Sequence, residues 1–257
     1  MSETSSPFPF VVVGGARSGT TLLKNLLRSH PNLLSFSELF CPGRIYWDYP
    51  DMEHMETQET VTWRDAHPVE FMKAVYESEH EARFKGVGFK LLYNQLFSPE
   101  LKPLSRYLFG LDGLRVVHIR RENLFKAYVS HRIGALRKAR GMTLNAGSAE
   151  EVEVDTNISV EIYECESFFK STHDSETKTR AFFANKPTME VTYEGITKNM
   201  DQEMGTVLDF LDVPPAQLTT TSHKVRRQPV AEVVENYEEL REHFSGGPYA
   251  RFFTDDS

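Results

Sequence analysis

Residues 10–38 constrain the fold of this chain more than any other stretch of its sequence. The stretch opens with an apolar, β-branched run of the kind that forms a strand buried on both faces. A polar, glycine-rich segment follows at residues 14–21, and leucines then recur at helical spacing until His30 and Pro31. A strand, a glycine-rich loop and a helix start aim backbone N–H groups and the positive end of a helix dipole at one point. The stretch therefore predicts an α/β fold that binds a phosphate-like anion.

The loop differs from the ATP-binding P-loop at one decisive position. That motif reads Gly-x-x-x-x-Gly-Lys-Ser/Thr, and its lysine contacts the nucleotide phosphates. Gly14 and Gly19 have the required spacing, but Thr20 stands where the lysine belongs, and the cation comes earlier, at Arg17. The loop thus predicts a phosphate site that lacks the lysine with which P-loop enzymes contact a nucleoside triphosphate. A plain strand-to-helix turn is the alternative.

Alternating strand and helix patterns follow along the chain. We expect strands at residues 33–37, 86–92, 114–119 and 188–193, and helices after Pro68 and at 101–111, 124–139, 158–185, 204–211 and 230–244. Residues 41–67 are expected to be an irregular insertion over the active-site edge, and residues 141–155 and 219–228 to be loops. This alternation predicts an α/β fold with a P-loop-like, mainly parallel central sheet flanked by helices.

Length and charge limit the function classes. A chain of 257 residues suits a single domain, here with residues 1–8 as a flexible tail. The formal charge of −8 argues against nucleic acid or a strongly anionic glycan as partner. No run reaches the roughly 18 apolar residues of a membrane helix, and the N-terminus lacks a signal-peptide pattern. Cys41 and Cys165 lack metal-ligand spacing, so we expect a cytoplasmic protein without a metal.

The sequence Ala-Arg-Ser-Gly-Thr-Thr at residues 16–21 resembles a family motif. It is similar to the 5′-phosphosulfate loop of sulfotransferases that use 3′-phosphoadenosine 5′-phosphosulfate (PAPS), usually Pro-Arg/Lys-Ser-Gly-Thr-Thr, with Ala16 in place of the proline. Residues 30–38 resemble the next segment in the Golgi-type, tyrosylprotein and bacterial nodulation-factor-type branches. The resemblance implies PAPS as co-substrate and its desulfonated product PAP. The loop residues expected to bind the donor are Arg17, Ser18, Gly19, Thr20 and Thr21.

A second anion site is expected after the strand at residues 114–119. Ligands of open α/β sheets collect at the carboxyl ends of the strands, and arginines there can grip a phosphate with two hydrogen bonds. Arg120 and Arg121 follow this strand, and Ser130 lies nine residues after Arg121. The resemblance implies that Arg121 and Ser130 hold the 3′-phosphate of PAPS, and we prefer Arg121 to Arg120. Pairing of either arginine with surface acids is the alternative.

Two later segments also resemble parts of the same family. Residues 191–196 are similar to a Tyr-Glu-Asp-Leu segment, which implies that Tyr193 lies near the nucleotide, although a core tyrosine at a strand end is equally compatible. The basic loop at residues 223–228 resembles a late loop that covers the nucleotide. It makes Lys224 and Arg227 candidates for binding the donor phosphates, with a solvated basic loop as the alternative.

Catalysis requires a base near the sulfuryl group, and Glu38 is the expected residue. A glutamate that caps the strand end or pairs with a cation is the alternative for this position. Its place resembles that of the glutamate that acts as base in tyrosylprotein sulfotransferases. Arg17 serves the leaving group, and Lys90 touches the sulfate or the acceptor unless it forms a buried ion pair. His67 and His118 are rival bases, as in cytosolic sulfotransferases.

The predicted activity is transfer of a sulfuryl group to a hydroxyl of a small metabolite, lipid or saccharide. Two other function classes stay open from the sequence. A P-loop kinase for small molecules would need Mg²⁺ and the missing lysine. An inactive module that binds PAP or a glycan would have kept the fold without the chemistry.

Overall fold

A parallel five-stranded sheet forms the centre of the computed structural model, which describes residues 6–78, 83–141, 157–220 and 228–254. The strand order is β2-β3-β1-β4-β5, and each neighbouring pair is parallel. The strands are β1 (Phe8–Gly14), β2 (Leu33–Phe36), β3 (Gly86–Leu92), β4 (Arg115–Arg120) and β5 (Thr188–Thr192). The α/β architecture predicted from the alternating pattern is confirmed.

Apolar side chains cover both faces of the sheet, which explains why the strands read as continuous apolar runs. Along β1, Val11 and Val13 point into one buried cluster, while Phe10 and Val12 point into another on the opposite face. Every one of these four side chains is fully buried. Because β1 is the central strand, the loop that follows it leaves the middle of the sheet at its carboxyl edge.

Helices connect the strands. They are α1 (Thr20–Arg28), α2 (Gln58–Ala66), α3 (Pro68–Glu77), α4 (Tyr93–Leu96), α5 (Lys102–Gly110), α6 (Leu124–Ala139), α7 (Ile162–Phe182), α8 (Tyr193–Lys198), α9 (Met200–Phe210), α10 (Val230–Val233) and α11 (Tyr237–Phe244). Short 3-10 helices lie at Pro50–Met55 and Ala250–Phe253. In the part of the chain that the structure describes, no helix is long and apolar enough to cross a membrane.

The chain divides into two compact units. The first comprises Met1–Arg120 and Thr177–Thr220 and holds the sheet, and the second comprises Arg121–Glu176 and Thr221–Ser257. The second unit has its own aromatic core, in which Phe169 packs against Phe244 and Phe252.

The segment at residues 41–67, predicted to be irregular, contains α2. Thr57 caps this helix by accepting a hydrogen bond from the Thr60 backbone N–H. Its inward face includes Arg64, which is almost fully buried and donates to the carbonyls of Leu39, Cys41 and Arg44. A buried arginine hides the apolar periodicity, so the sequence pattern did not reveal the helix.

Two helix predictions in the second unit were wrong at their ends. The helix expected from residue 158 begins at Ile162, and the one expected over residues 230–244 is broken after Val233. Both errors have one cause. Ile158 forms a parallel bridge with Val234, and Asn236 bonds both the N–H and the carbonyl of Val160 through its side chain. These long-range contacts keep residues 158–160 and 234–236 out of the predicted helices. Residues 142–156 and 221–227, which include most of the two predicted loops, lie outside the described residues.

Candidate active site

The loop between β1 and α1 forms the base of the candidate site. The Ser18 backbone N–H and hydroxyl both donate to the Gly15 carbonyl, which closes the turn. Arg17 adopts a left-handed backbone conformation with φ of 63°, and Gly19 has φ of 98° at the N-cap of α1. Strained backbone of this kind concentrates at ligand sites. The N-cap residue of α1 is this glycine, and it provides no side-chain hydrogen bond to the first N–H groups of the helix.

Glu38, Lys90 and Thr21 form a connected chain beside this loop. The Lys90 ammonium lies 2.8 Å from Glu38 Oε1 and donates to Thr21 Oγ1 at 3.1 Å. The Lys90 side chain is 6% exposed, whereas that of Glu38 is 21% exposed, so the carboxylate keeps access to solvent. The structure thus brings the predicted base to the start of α1. The ion pair between Lys90 and Glu38 is the alternative that the sequence left open for each of them, and their catalytic roles stay a prediction.

Two tyrosine rings lie against glycines of the loop. A Cβ atom at Gly19 would fall 2.8 Å from Tyr193 Cδ2, and one at Gly15 would fall 3.3 Å from Tyr93 Cε2. Tyr193 is the first residue of α8 rather than the last of β5, and it is half-buried. The structure therefore places Tyr193 against the loop, and Tyr93 is a second neighbour that the sequence did not indicate. That Tyr193 borders the nucleotide stays a prediction.

A buried polar chain links Tyr93 to β4 and β5. The Tyr93 hydroxyl lies 2.6 Å from His118 Nε2, and His118 Nδ1 lies 3.0 Å from Glu190 Oε1. Arg180 donates to both Glu190 oxygens, at 2.6 and 3.2 Å, and Arg120 Nε lies 3.2 Å from Oε2. A carboxylate only accepts, so His118 carries its proton on Nδ1 and accepts the tyrosine hydrogen at Nε2.

The environment of this chain sets its charges. Burial lowers the pKa of His118 to about 4, against the opposing effect of Glu190, so the imidazole is neutral near pH 7. Burial raises the pKa of Glu190, but the hydrogen bond from Arg180 and nearby positive charges outweigh it and lower that pKa overall. Both nitrogens of His118 are engaged and its side chain is fully buried, which disfavours it as a base for a bound substrate.

The remaining residues that the sequence predicted for the site lie as follows. His67 is exposed at the junction of α2 and α3, and its ring lies beside that of Trp63. Arg120 pairs with Glu190, the alternative expected for it from the sequence. Lys224 and Arg227 lie outside the described residues.

Arg121 and Ser130 belong to the second unit. Arg121 directly follows β4, and Ser130 is in α6, each of them half-buried. The turn between them is fixed by Asn123, whose side-chain oxygen accepts from the Lys126 N–H at 2.8 Å and whose amide donates to the Phe252 carbonyl at 3.0 Å. Their role in binding the 3′-phosphate stays a prediction.

Gln95 also contacts Glu38, although the sequence pattern did not indicate it. Its amide nitrogen lies 3.3 Å from Glu38 Oε2, and it comes from α4, which directly follows the strand that carries Lys90. Its position five residues after Lys90 was the only signal available, and such a spacing carries little information across the end of a strand. Within the described ranges, no group of three or more His, Cys, Asp or Glu side chains is placed to hold a metal ion.

Comparison with known proteins gives a consistent result. The model of the sulfotransferase family matches residues 9–217. Nodulation protein H of Rhizobium meliloti is 28% identical over 258 residues, covering 98% of this chain and 97% of that protein. Nodulation protein H of Rhizobium tropici is 27% identical over 252 residues, covering 96% and 94%. A solved sulfotransferase structure from Alicyclobacillus acidocaldarius has a TM-score of 0.52 at 14% identity, covering 97% of this chain and 94% of that one, a likeness that concerns the fold.

Proposed function

The chain belongs to the sulfotransferase family, and from that premise we propose that it transfers a sulfuryl group from PAPS to a hydroxyl group and releases PAP. The enzyme class follows from the family. The donor, the acceptor class and the residues that carry out the transfer are the substance of the proposal. The acceptor is a small metabolite, a lipid or a saccharide, since a chain with a formal charge of −8 is poorly suited to a strongly anionic polymer.

The loop residues suit the 5′-phosphosulfate of the donor. The start of α1 has no side-chain cap among the described residues, and Arg17 supplies a cation at its edge. Backbone N–H groups at a helix start and an arginine together form a common anion site. In the proposal, Arg17, Ser18, Gly19, Thr20 and Thr21 hold this end of PAPS.

The other donor contacts in the proposal come from later in the chain. Tyr193 lies against Gly19 and would border the nucleotide. Arg121 and Ser130 would hold the 3′-phosphate, and Lys224 and Arg227 would add cations to the phosphates. The ion pair between Arg120 and Glu190 supports the choice of Arg121 for this role.

The observation that carries the proposal is the contact chain from Glu38 through Lys90 to Thr21. It places a partly exposed carboxylate next to the anion-binding loop, with a cation between them. Transfer of a sulfuryl group to a hydroxyl requires a base close to the site that binds the anionic donor. The occupied nitrogens of the neutral His118 favour Glu38 over that histidine.

Residue roles follow from this geometry. PAPS, when bound, supplies an activated sulfuryl group. Glu38 takes the proton of the acceptor hydroxyl as the new oxygen–sulfur bond forms, and the electron pair of the broken sulfur–oxygen bond goes to the phosphate oxygen of PAP. Arg17 and the loop N–H groups stabilise the negative charge that grows on that oxygen. Lys90 pairs with Glu38 and adds positive charge next to the loop. A cytoplasmic location completes the proposal, supported by the low cysteine content of the chain, which has two cysteines in 257 residues.

Incubation with radiolabelled PAPS and a panel of acceptors tests the proposal. The panel contains small alcohols and phenols, membrane lipids and neutral oligosaccharides, each assayed for labelled product and for PAP. We expect transfer to at least one hydroxyl compound. PAP binding without transfer to any of them would favour an inactive binding module, and ATP-dependent phosphorylation of the same compounds would favour a kinase.

A further inference from the structure

Gln95 has a side chain whose orientation is fixed by its own helix. It is the third residue of α4, and its Oε1 accepts the Leu92 backbone N–H at 2.9 Å. An N–H donor can meet only the oxygen of the amide, so this bond decides which end of the amide points where. The side chain is 4% exposed and has little freedom to turn.

The amide nitrogen of Gln95 therefore faces the segment that follows β2. It donates to Glu38 Oε2 at 3.3 Å and to the Phe40 carbonyl at 3.4 Å. Together with the bond from Leu92, these contacts use both hydrogens and the oxygen of the amide.

The carboxylate of Glu38 is consequently held at both of its oxygens. Lys90 lies 2.8 Å from Oε1, and Gln95 reaches Oε2 from the following helix. Two contacts from different directions fix the plane of a carboxylate, which a single ion pair leaves free to rotate. An ionised carboxylate offers about four lone-pair sites, so two stay available to a substrate proton.

We propose that Gln95 is a positioning residue that sets the orientation of the Glu38 carboxylate for proton abstraction. This inference rests on the proposed function, in which Glu38 is the base. The pairing with Lys90 supplies charge, whereas the neutral amide supplies direction. A base whose lone pair points at the acceptor hydroxyl needs no reorientation when the reaction begins.

Carbon-13 NMR of the full-length protein, labelled at glutamate side chains and measured at one fixed pH, tests the proposal. The Glu38 carboxyl signal is identified by its loss in Glu38→Gln. In Gln95→Met, which has a similar volume but no donor, we expect this signal to shift more than any other glutamate signal, because the hydrogen bond to Glu38 Oε2 has been removed. Lys90→Met should also shift it, because that variant loses the contact with Oε1.

Asn94→Ala is the matched control, since Asn94 is an exposed residue of the same short helix. It should leave the Glu38 signal unchanged. A Glu38 signal that does not shift in Gln95→Met would overturn the inference, because a purely structural role in α4 would change the melting temperature alone. Should Gln95→Met not fold, Gln95→Glu keeps the acceptor for Leu92 and removes the donor to Glu38, so the Glu38 signal should shift in that variant too. The measurement needs neither PAP nor an acceptor, so its outcome is separate from the turnover of Glu38→Gln, which tests the base itself.

Discussion

Glu38 is the residue on which the proposed chemistry depends most. Its carboxylate is partly exposed and contacts Lys90, which in turn donates to Thr21 at the start of α1. The amide of glutamine keeps an oxygen that can accept from Lys90, but it is not basic. Substitution of Glu38 by glutamine therefore separates the chemistry of the base from the structure around it.

We expect Glu38→Gln to lose about 100-fold or more in turnover, the usual contribution of a general base, while the dissociation constant of PAP changes less than about twofold. Turnover is measured with radiolabelled PAPS and PAP affinity by calorimetry. Glu100→Gln, at an exposed position, is the control and should match the wild type. Near-normal turnover in Glu38→Gln would remove Glu38 as the base.

His118 makes the native state sensitive to acid. Burial lowers its pKa from 6.5 to about 4 in the folded protein, so the unfolded chain binds a proton at a higher pH than the native state does. The stability that depends on a neutral His118 is thus complete above about pH 6.5 and is lost as the pH falls toward 4. Glu190, Arg180, Arg120 and Tyr93 all face this histidine, and the lowered pKa of Glu190 acts in the same direction.

Replacement of His118 by glutamine should flatten this dependence. Between pH 6.5 and pH 5 the wild type is expected to lose about 1.5 kcal/mol more of its unfolding free energy than His118→Gln does. Urea denaturation at the two pH values measures the difference, with pH 8 as the reference for the loss of contacts caused by the substitution. Parallel losses in both proteins would show that His118 does not titrate in this way.

The individual residues differ in how well their contacts and roles could be predicted from the sequence. Glu38 and Arg17 lie in one continuous stretch, residues 10–38, so the sequence alone suggested a role for each of them. The contacts of His118 with Tyr93 and Glu190 join residues that are far apart in sequence and meet only once three parallel strands are aligned. Gln95 was missed for the same reason.

The loop and α1 form the element to which the proposal assigns binding of the donor anion. Gly19 takes φ of 98° at the start of the helix, and a Cβ there would approach Tyr193 Cδ2 at 2.8 Å. Glycine satisfies both demands at once, since left-handed backbone disfavours other residues and the ring leaves no space. The loop, the helix and Tyr193 are therefore fitted to one another.

Alanine at Gly19 should cost about 2–3 kcal/mol of stability and should weaken PAP binding, because it strains the backbone and displaces the ring of Tyr193. Gly113→Ala is the matched control, with φ of 71° but nothing within 4 Å of the added Cβ. That variant should cost only about 1 kcal/mol, the backbone part, and should bind PAP normally. Equal losses in the two variants, measured by denaturation, would mean that the contact with Tyr193 is not tight.

Elements built on local pattern were predicted well from the sequence. The strand at residues 86–92 and the helix at residues 124–139 have the expected bounds. A mostly apolar run marks the strand, and apolar residues at helical spacing mark the helix. Failures arose where a distant partner competes with local preference. Contacts of Ile158 and Asn236 keep two segments out of the predicted helices, and Arg64 replaces an apolar residue on the inner face of α2.

At the scale of the whole molecule, the family match spans residues 9–217 and includes every element of the central sheet. The acidic chain nevertheless concentrates cations in the segments proposed to meet the donor, at Arg17, Arg121, Lys224 and Arg227. A ligand that binds only the native state raises the free energy of unfolding of the entire chain. Binding of PAP therefore reports on the proposed donor site without any knowledge of the acceptor.

The melting temperature of the protein with and without PAP tests the central claim most directly. At a PAP concentration about 100 times the dissociation constant, the native state gains about 2.7 kcal/mol, which should raise the melting temperature by about 5 °C or more. Adenosine, which lacks both phosphates, and ATP with Mg²⁺ are the comparison ligands and should stabilise the protein less than PAP does. No shift at millimolar PAP, or a larger shift with ATP and Mg²⁺, would contradict the assignment of this loop to a sulfuryl donor.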